Sequence, residues 1–237
     1  MRALFGIAVS VFALGIGCAV ALGGLAFLGE AKARPTLEAF AQDIAFAVNP
    51  DPASIAAARA ADPAGSLAPD GRLFGAAALA ALTAGERTGG AAAFEEARRL
   101  FRKQAKLAPR DPYLWAGLAW AEDRLNASPD RVLALVERSR ALGRNAVASW
   151  PARVALGFKH WAAASPSAQA ATLAEAERIW RKQGDRFWSR PDMRNRLAAL
   201  ALATGGADRL ASAFASRPDD FAQWTAAVRA AALGDGL

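Results

Sequence analysis

The apolar pattern of this chain changes character once, near its start. From Ala3 to Gly29 no residue carries a charge, and Ser10 is the most polar side chain. About 20 such residues suffice to cross the hydrocarbon core of a bilayer, and the glycines at 15, 17, 23 and 24 are more common in membrane-spanning helices than in water-exposed ones. Beyond residue 34 the pattern breaks into runs of helical length punctuated by proline. Asn49-Pro50-Asp51-Pro52, Asp62-Pro63, Pro109-Arg110-Asp111-Pro112, Ser128-Pro129, Ser165-Pro166, Arg190-Pro191 and Arg217-Pro218 mark the breaks. Asp or Ser before Pro reads as an N-cap followed by the first-turn proline that helices favour.

Between these breaks the spacing predicts helices near 36–47, 52–61, 71–84, 91–108, 112–126, 130–142, 147–163, 168–184, 193–204, 207–216 and 219–233. No stretch alternates apolar and polar residues over the length of a half-buried strand. Alanine and leucine dominate the composition, and both enter a helix at little entropic cost. The expected fold class is therefore all-α, in three parts: a transmembrane anchor over 1–34, a helical linker region over 35–70 and a helical domain over 71–237.

Two other readings of the N-terminus stay open. Ala31-Lys32-Ala33 has the form of a signal-peptide cleavage site, although the apolar core before it exceeds the usual 7–15 residues. Cys18 would be the modified thiol of a lipoprotein, but Gly15-Ile16-Gly17 lacks the expected aliphatic residue and the chain stays apolar afterwards. Arg2 on one flank and Lys32 and Arg34 on the other leave orientation nearly balanced under the positive-inside rule. A short tail before a large soluble region favours the tail in the cytoplasm. In a bacterium this gives a single-pass inner-membrane protein with its soluble domain in the periplasm.

Helix pairs recurring about every 34 residues prompt a search for repeats. Ala97, Phe101, Leu107 and Pro109 have the spacing of a second repeat helix, and Trp115, Leu118 and Ala119 the spacing of the first helix of the next. Ala134 and Ala141 follow in the helix after that. Together these positions across 91–145 resemble the tetratricopeptide family. Gln104 and Glu122 depart from its usual alanine and tyrosine, and Ala146 stands where a closing proline belongs. The resemblance implies two to four hairpins in a short right-handed superhelix. In a further hairpin over 147–184, Val147, Trp150, Val154, Phe158 and Trp161 form one stripe, faced by Leu173, Ala176, Ile179 and Trp180. The stretch from Trp150 to Trp161, with Ile179-Trp180-Arg181, is also similar to small tetratricopeptide proteins of bacterial exopolysaccharide and O-antigen loci. That similarity implies a place in envelope or surface-polysaccharide assembly.

The resemblance also implies where a partner sits, since first helices line the groove of such arrays. Tyr113, Ala116, Trp120, Asp123 and Arg124 share one face of their helix, distinct from the stripe of Trp115, Leu118 and Ala119. Tyrosine, tryptophan and arginine are the usual hot-spot residues of interfaces. Net charge adds a second candidate surface. The chain carries +7 with a pI near 10.4, and Arg98, Arg99, Arg102, Lys103 and Lys106 crowd one helix, with a further cluster over 178–196. An anionic glycan or lipid is the ligand class this suggests, and nucleic acid is not expected without aromatic stacking platforms among the basic residues.

Catalytic signatures are missing. The lone His160 belongs to no metal-ligand spacing, and no nucleophile elbow, phosphate loop or dinucleotide fingerprint occurs in context. Glu95, Glu96, Glu122, Asp123, Glu175 and Glu177 lie among basic residues at spacings of solvated faces. With no cysteine beyond Cys18, neither disulfide nor thiolate metal site is expected. No cofactor and no metal are expected, and no enzyme activity. The leading expectation is a membrane-anchored adaptor that holds another protein. Direct binding of an anionic glycan or lipid is the alternative, and an anchored chaperone of the cytochrome-maturation kind a third.

Overall fold

The computed structural model describes residues 71–181 and 193–233. The anchor at 1–34, the linker at 35–70 and the two helices expected within it lie outside the described residues, as does the end of the helix expected to reach 184. Every described element is helical. They are α1 (Gly71–Thr88), α2 (Ala91–Leu107), α3 (Pro112–Arg124), α4 (Pro129–Leu142), α5 (Trp150–Lys159), α6 (Pro166–Arg181), α7 (Met193–Ala203), α8 (Ala207–Phe214) and α9 (Pro218–Leu233). Single turns of 3₁₀ helix, Val147–Ser149 and Trp161–Ala163, flank α5.

The breaks work as their chemistry demands. Asp111 caps α3, accepting from the Tyr113 N–H at 2.9 Å, with Pro112 in the first turn. Ser128 and Pro129 begin α4 in the same way. Gly89 ends α1 with φ +66°, a conformation that costs glycine little. One boundary differs from expectation: 147–163 is not one helix. Pro151 has no N–H to return to the Val147 carbonyl, so the chain enters α5 through a 3₁₀ turn in which the Trp150 N–H takes that bond.

Consecutive helices pair antiparallel as α1/α2, α3/α4 and α5/α6. Each later first helix also packs on both helices of the pair before it: α3 on α1 and α2, and α5 on α3 and α4. α7, α8 and α9 close the array against α5 and α6. First helices start at Gly71, Pro112, Trp150 and Met193, a wider interval than the roughly 34 residues of a tetratricopeptide unit.

Burial shows which signature positions face a neighbour. Ala97, Phe101, Leu118 and Ala119 are buried, and a methyl group at Gly117 would stand 2.3 Å from the Phe101 ring. Trp115 is only half-buried. Its indole N–H reaches the Pro109 carbonyl at 2.9 Å, and Arg138 covers its ring at 4.1 Å. Pro109 itself is exposed, and so are Ala134 and Ala141. The last two were placed in the packing register by spacing alone, and that register is corrected. In α4 the buried residues are Val132, Leu133, Leu135, Val136 and Ser139, among which Val132, Val136 and Ser139 form one series. It has the 4-then-3 spacing of Ala97, Phe101 and Gln104 in α2, and Thr172, Ala176 and Ile179 repeat it in α6. The turn before α4 shifts the contact face, so a slot that suits a small residue holds valine.

Two large apolar clusters form most of the interior of the described residues, and Leu133, Ala164 and Ala168 make a small third. Of the two large ones, one joins α1 to α4 and takes Ala152, Ala155 and Leu156 from α5. The other joins α6 to α9 and takes Trp150, Val154 and Phe158 from the opposite side of α5. The stripe expected over 147–161 lies in the second cluster, with Val147 and Trp161 at its edge.

Candidate interaction surface

The C-terminal turns of α1, α3 and α5 lie side by side and are joined by polar contacts. Trp120 and Arg124, one turn apart in α3, both turn toward α1. The Trp120 indole N–H donates to Glu86 Oε1 at 2.7 Å, and Arg124 grips the same carboxylate through Nε at 2.6 Å and Nη2 at 2.9 Å. Its guanidinium also sits 5.3 Å from the Trp120 ring centre. Asp123 turns the other way, toward α5. It accepts from Lys159 Nζ at 2.7 Å and lies 2.7 Å from His160 Nε2. Arg124 and Lys159 occupy last turns, where a cation also complements the helix dipole.

This seam changes the meaning of the five groove residues. Ala116, Trp120 and Asp123 are buried, so they do not line an open groove. Trp120, Asp123 and Arg124 bind α3 to its neighbours instead. Tyr113 is 47% exposed and lies at the other end of α3, about 16 Å from Arg124 at 1.5 Å per residue. Desolvation, with help from the Asp111 carboxylate, raises the Tyr113 phenol above its ordinary range. The structure thus leaves Tyr113 and Arg124 at the surface as separate points.

The basic helix face is also more mixed than its cations suggest. Arg98 pairs with Glu95, and Arg99 reaches Glu96 through Nε at 2.6 Å. The Arg99 guanidinium holds the Glu96 carboxyl below the usual carboxylate range. Arg102 and Arg98 converge on Glu122 of α3, at 2.9 and 3.7 Å, and the Glu122 side chain is only 5% exposed. Lys103 lies over the Phe74 ring at 5.2 Å, while Lys106 is exposed. Reversing two of the three arginines around Glu122, in the Arg98→Glu/Arg102→Glu variant that leaves only Arg131 at 3.9 Å, is expected to destabilise the chain by about 2 kcal/mol. Lys106→Glu is expected to be close to neutral. Thermal melts of the two variants check the contrast.

Solvated-face spacing misplaced three carboxylates, since Glu122, Asp123 and Glu175 are all buried. Glu175 belongs to a cluster that sequence spacing did not suggest. Arg153, with no exposed surface, donates to Glu175 Oε1 at 3.0 Å, to Ser139 Oγ at 3.0 Å, and to the Ser139 and Gly143 carbonyls at 2.9 and 3.0 Å. Arg140 meets the other Glu175 oxygen at 3.0 Å and Thr172 Oγ1 at 2.9 Å. Burial pulls the Arg153 guanidinium below its ordinary range, and the attraction of Glu175 offsets that only in part. One signal was present: Arg153 is the sole charge in the run Trp150–Phe158, which is apolar on every side.

Among the described residues no cluster of His, Cys, Asp and Glu has the makings of a metal site. Among them, too, no helix is long and apolar enough to cross a membrane, and the run at 3–29 lies outside them. No protein-family model, no curated protein and no solved structure matches this chain.

Proposed function

We propose that this chain is a membrane-anchored scaffold of the tetratricopeptide kind, whose stacked hairpins hold a protein partner. Residues 3–29 are its anchor, and the array winds as a short right-handed superhelix. One observation carries this reading: every first helix packs on both helices of the preceding hairpin, with buried residues at one repeated spacing in α2, α4 and α6. Stacking of identical units by nearest-neighbour contact is what repeat scaffolds do. The inner bacterial membrane, a periplasmic array and a role in envelope or exopolysaccharide assembly follow from the sequence resemblances. They are proposed on that ground.

Recognition of a polyanion by the α2 face is the weaker reading, because Glu95, Glu96 and Glu122 already engage three of its five cations. Photo-crosslinking separates the two. A photoreactive residue at Arg124 in the full-length chain is expected to capture one discrete protein, and to do so still near 1 M salt, where screening acts within about 3 Å. The same residue at Arg99 is expected to capture none. If only the Arg99 probe reacts and salt abolishes it, the scaffold reading falls.

A further inference from the structure

Side-chain contacts between helices fix which helix ends share a side of the array. Lys103 over Phe74 places the end of α2 beside the start of α1. Gln104 Nε2 donating to Asp111 at 2.9 Å, and Ser139 Oγ donating to the Pro112 carbonyl at 2.6 Å, bring the start of α3 and the end of α4 to the same side. A methyl group at Gly143 would stand 2.6 Å from Pro112. The turns 107–112 and 142–147 are therefore neighbours, on the side where α1 begins.

That side combines exposed large hydrophobic residues with exposed cations that have no ion pair among the described residues. Three of the six large hydrophobic residues that remain exposed are here: Leu107 at 45%, Tyr113 at 47% and Leu142 at 38%. Exposed cations stand among them, namely Lys106, Arg110 and Arg144, and none of the three is ion-paired among the described residues. The nearest carboxylate, Asp111, is occupied as the α3 cap and by Gln104. At the opposite side Arg124, Lys159 and His160 are held by Glu86 and Asp123, and among the described residues only Arg87 in the last turn of α1 stands exposed without an ion pair beside them.

We infer that this turn end is a second membrane contact, resting on the anionic headgroup layer of a bilayer. Aliphatic side chains flanked by lysine and arginine suit an interface where hydrocarbon meets anionic phosphate, and tyrosine is enriched at that depth. Continuity points the same way: α1 begins on this side, after a linker that follows the apolar run at 3–29. The inference thus rests on the anchor reading, and it adds an orientation. The array is clamped with α1–α4 upright on the lipid, and the Glu86–Asp123 seam turned away from it.

The test uses the full chain in a Cys18→Ser background, reconstituted in nanodiscs containing phosphatidylglycerol. An environment-sensitive fluorophore is attached at Leu107→Cys, at Leu142→Cys or, on the far side, at Ala162→Cys. Emission from 107 and 142 is expected to shift blue and to be quenched by lipid-borne spin labels, and emission from 162 to do neither. Lys106→Glu/Arg110→Glu/Arg144→Glu is expected to abolish the response, since each cation near such a surface is worth about fivefold in binding. Equal responses at the three positions, or an undiminished response in purely zwitterionic lipid, overturn the inference. A chain that never enters the nanodisc defeats the anchor reading alone. The same probes with anionic vesicles added from outside then report on the turn end by itself.

Discussion

Arg153→Ala is expected to destabilise the chain by roughly 3–5 kcal/mol, the usual cost of breaking a buried ion pair from one side. The arginine has no exposed surface, and its guanidinium satisfies Ser139 Oγ, two backbone carbonyls and one oxygen of Glu175. Truncation leaves those acceptors in a dry interior and opens a cavity between α4, α5 and α6. Arg140 still meets Glu175, so the carboxylate is not orphaned completely. The double variant Arg153→Met/Glu175→Leu refills the space but still leaves the Ser139 and Gly143 carbonyls without their donor and Arg140 without Glu175, so it is expected to recover only part of the loss. Urea titration followed by circular dichroism measures both. A loss below about 1 kcal/mol for Arg153→Ala would mean that the contact does not hold the second hairpin to the third.

Trp180→Ala is the other large effect, at about 3–5 kcal/mol. Trp180 is 1% exposed, with its ring 5.5 Å from both Phe214 and Trp224 and its indole N–H on Asp220 at 3.1 Å. Edge-to-face rings add to the area they bury, and Arg194 closes the outer side at 4.4 Å. This one side chain joins α6 to α7, α8 and α9. Trp180→Phe is expected to recover most of the stability while removing the indole donor to Asp220, which keeps Arg217 at 3.4 Å. Scanning calorimetry distinguishes the pair. If alanine and phenylalanine cost the same, the hydrogen bond rather than the ring cluster secures this junction.

Helix boundaries were legible because proline and its capping partner act within one turn of chain. The breaks at Asp111-Pro112, Ser128-Pro129, Ser165-Pro166 and Arg217-Pro218 all stand within about two residues of a helix start. The alanines at 134 and 141 show where local reasoning stops. Their spacing is right, but which face of α4 meets α3 depends on the turn at 125–128, where Asn126 takes a φ of 58°. The polar side chains were harder still. Glu122, Asp123 and Glu175 have the neighbours of surface carboxylates along the sequence, and their actual partners are 20 to 37 residues away in several cases. A pairing between hairpins leaves no trace in helical periodicity. For the same reason Trp120 and Asp123 read as groove residues when they are joints.

α5 supplies apolar side chains to both large interior clusters, from opposite sides of a helix only ten residues long. Many repeat arrays fray from their ends, shedding a terminal unit while the rest stays folded. Here neither half retains a closed interior once α5 leaves, so melting from either end must stop at α5 or consume the whole. The described array is therefore expected to melt in no smaller pieces than the two blocks that α5 joins. Insertion in its surface turns is expected to cost less than the gain or loss of a hairpin, since α5, with Leu200 of α7 beside it, meets both clusters.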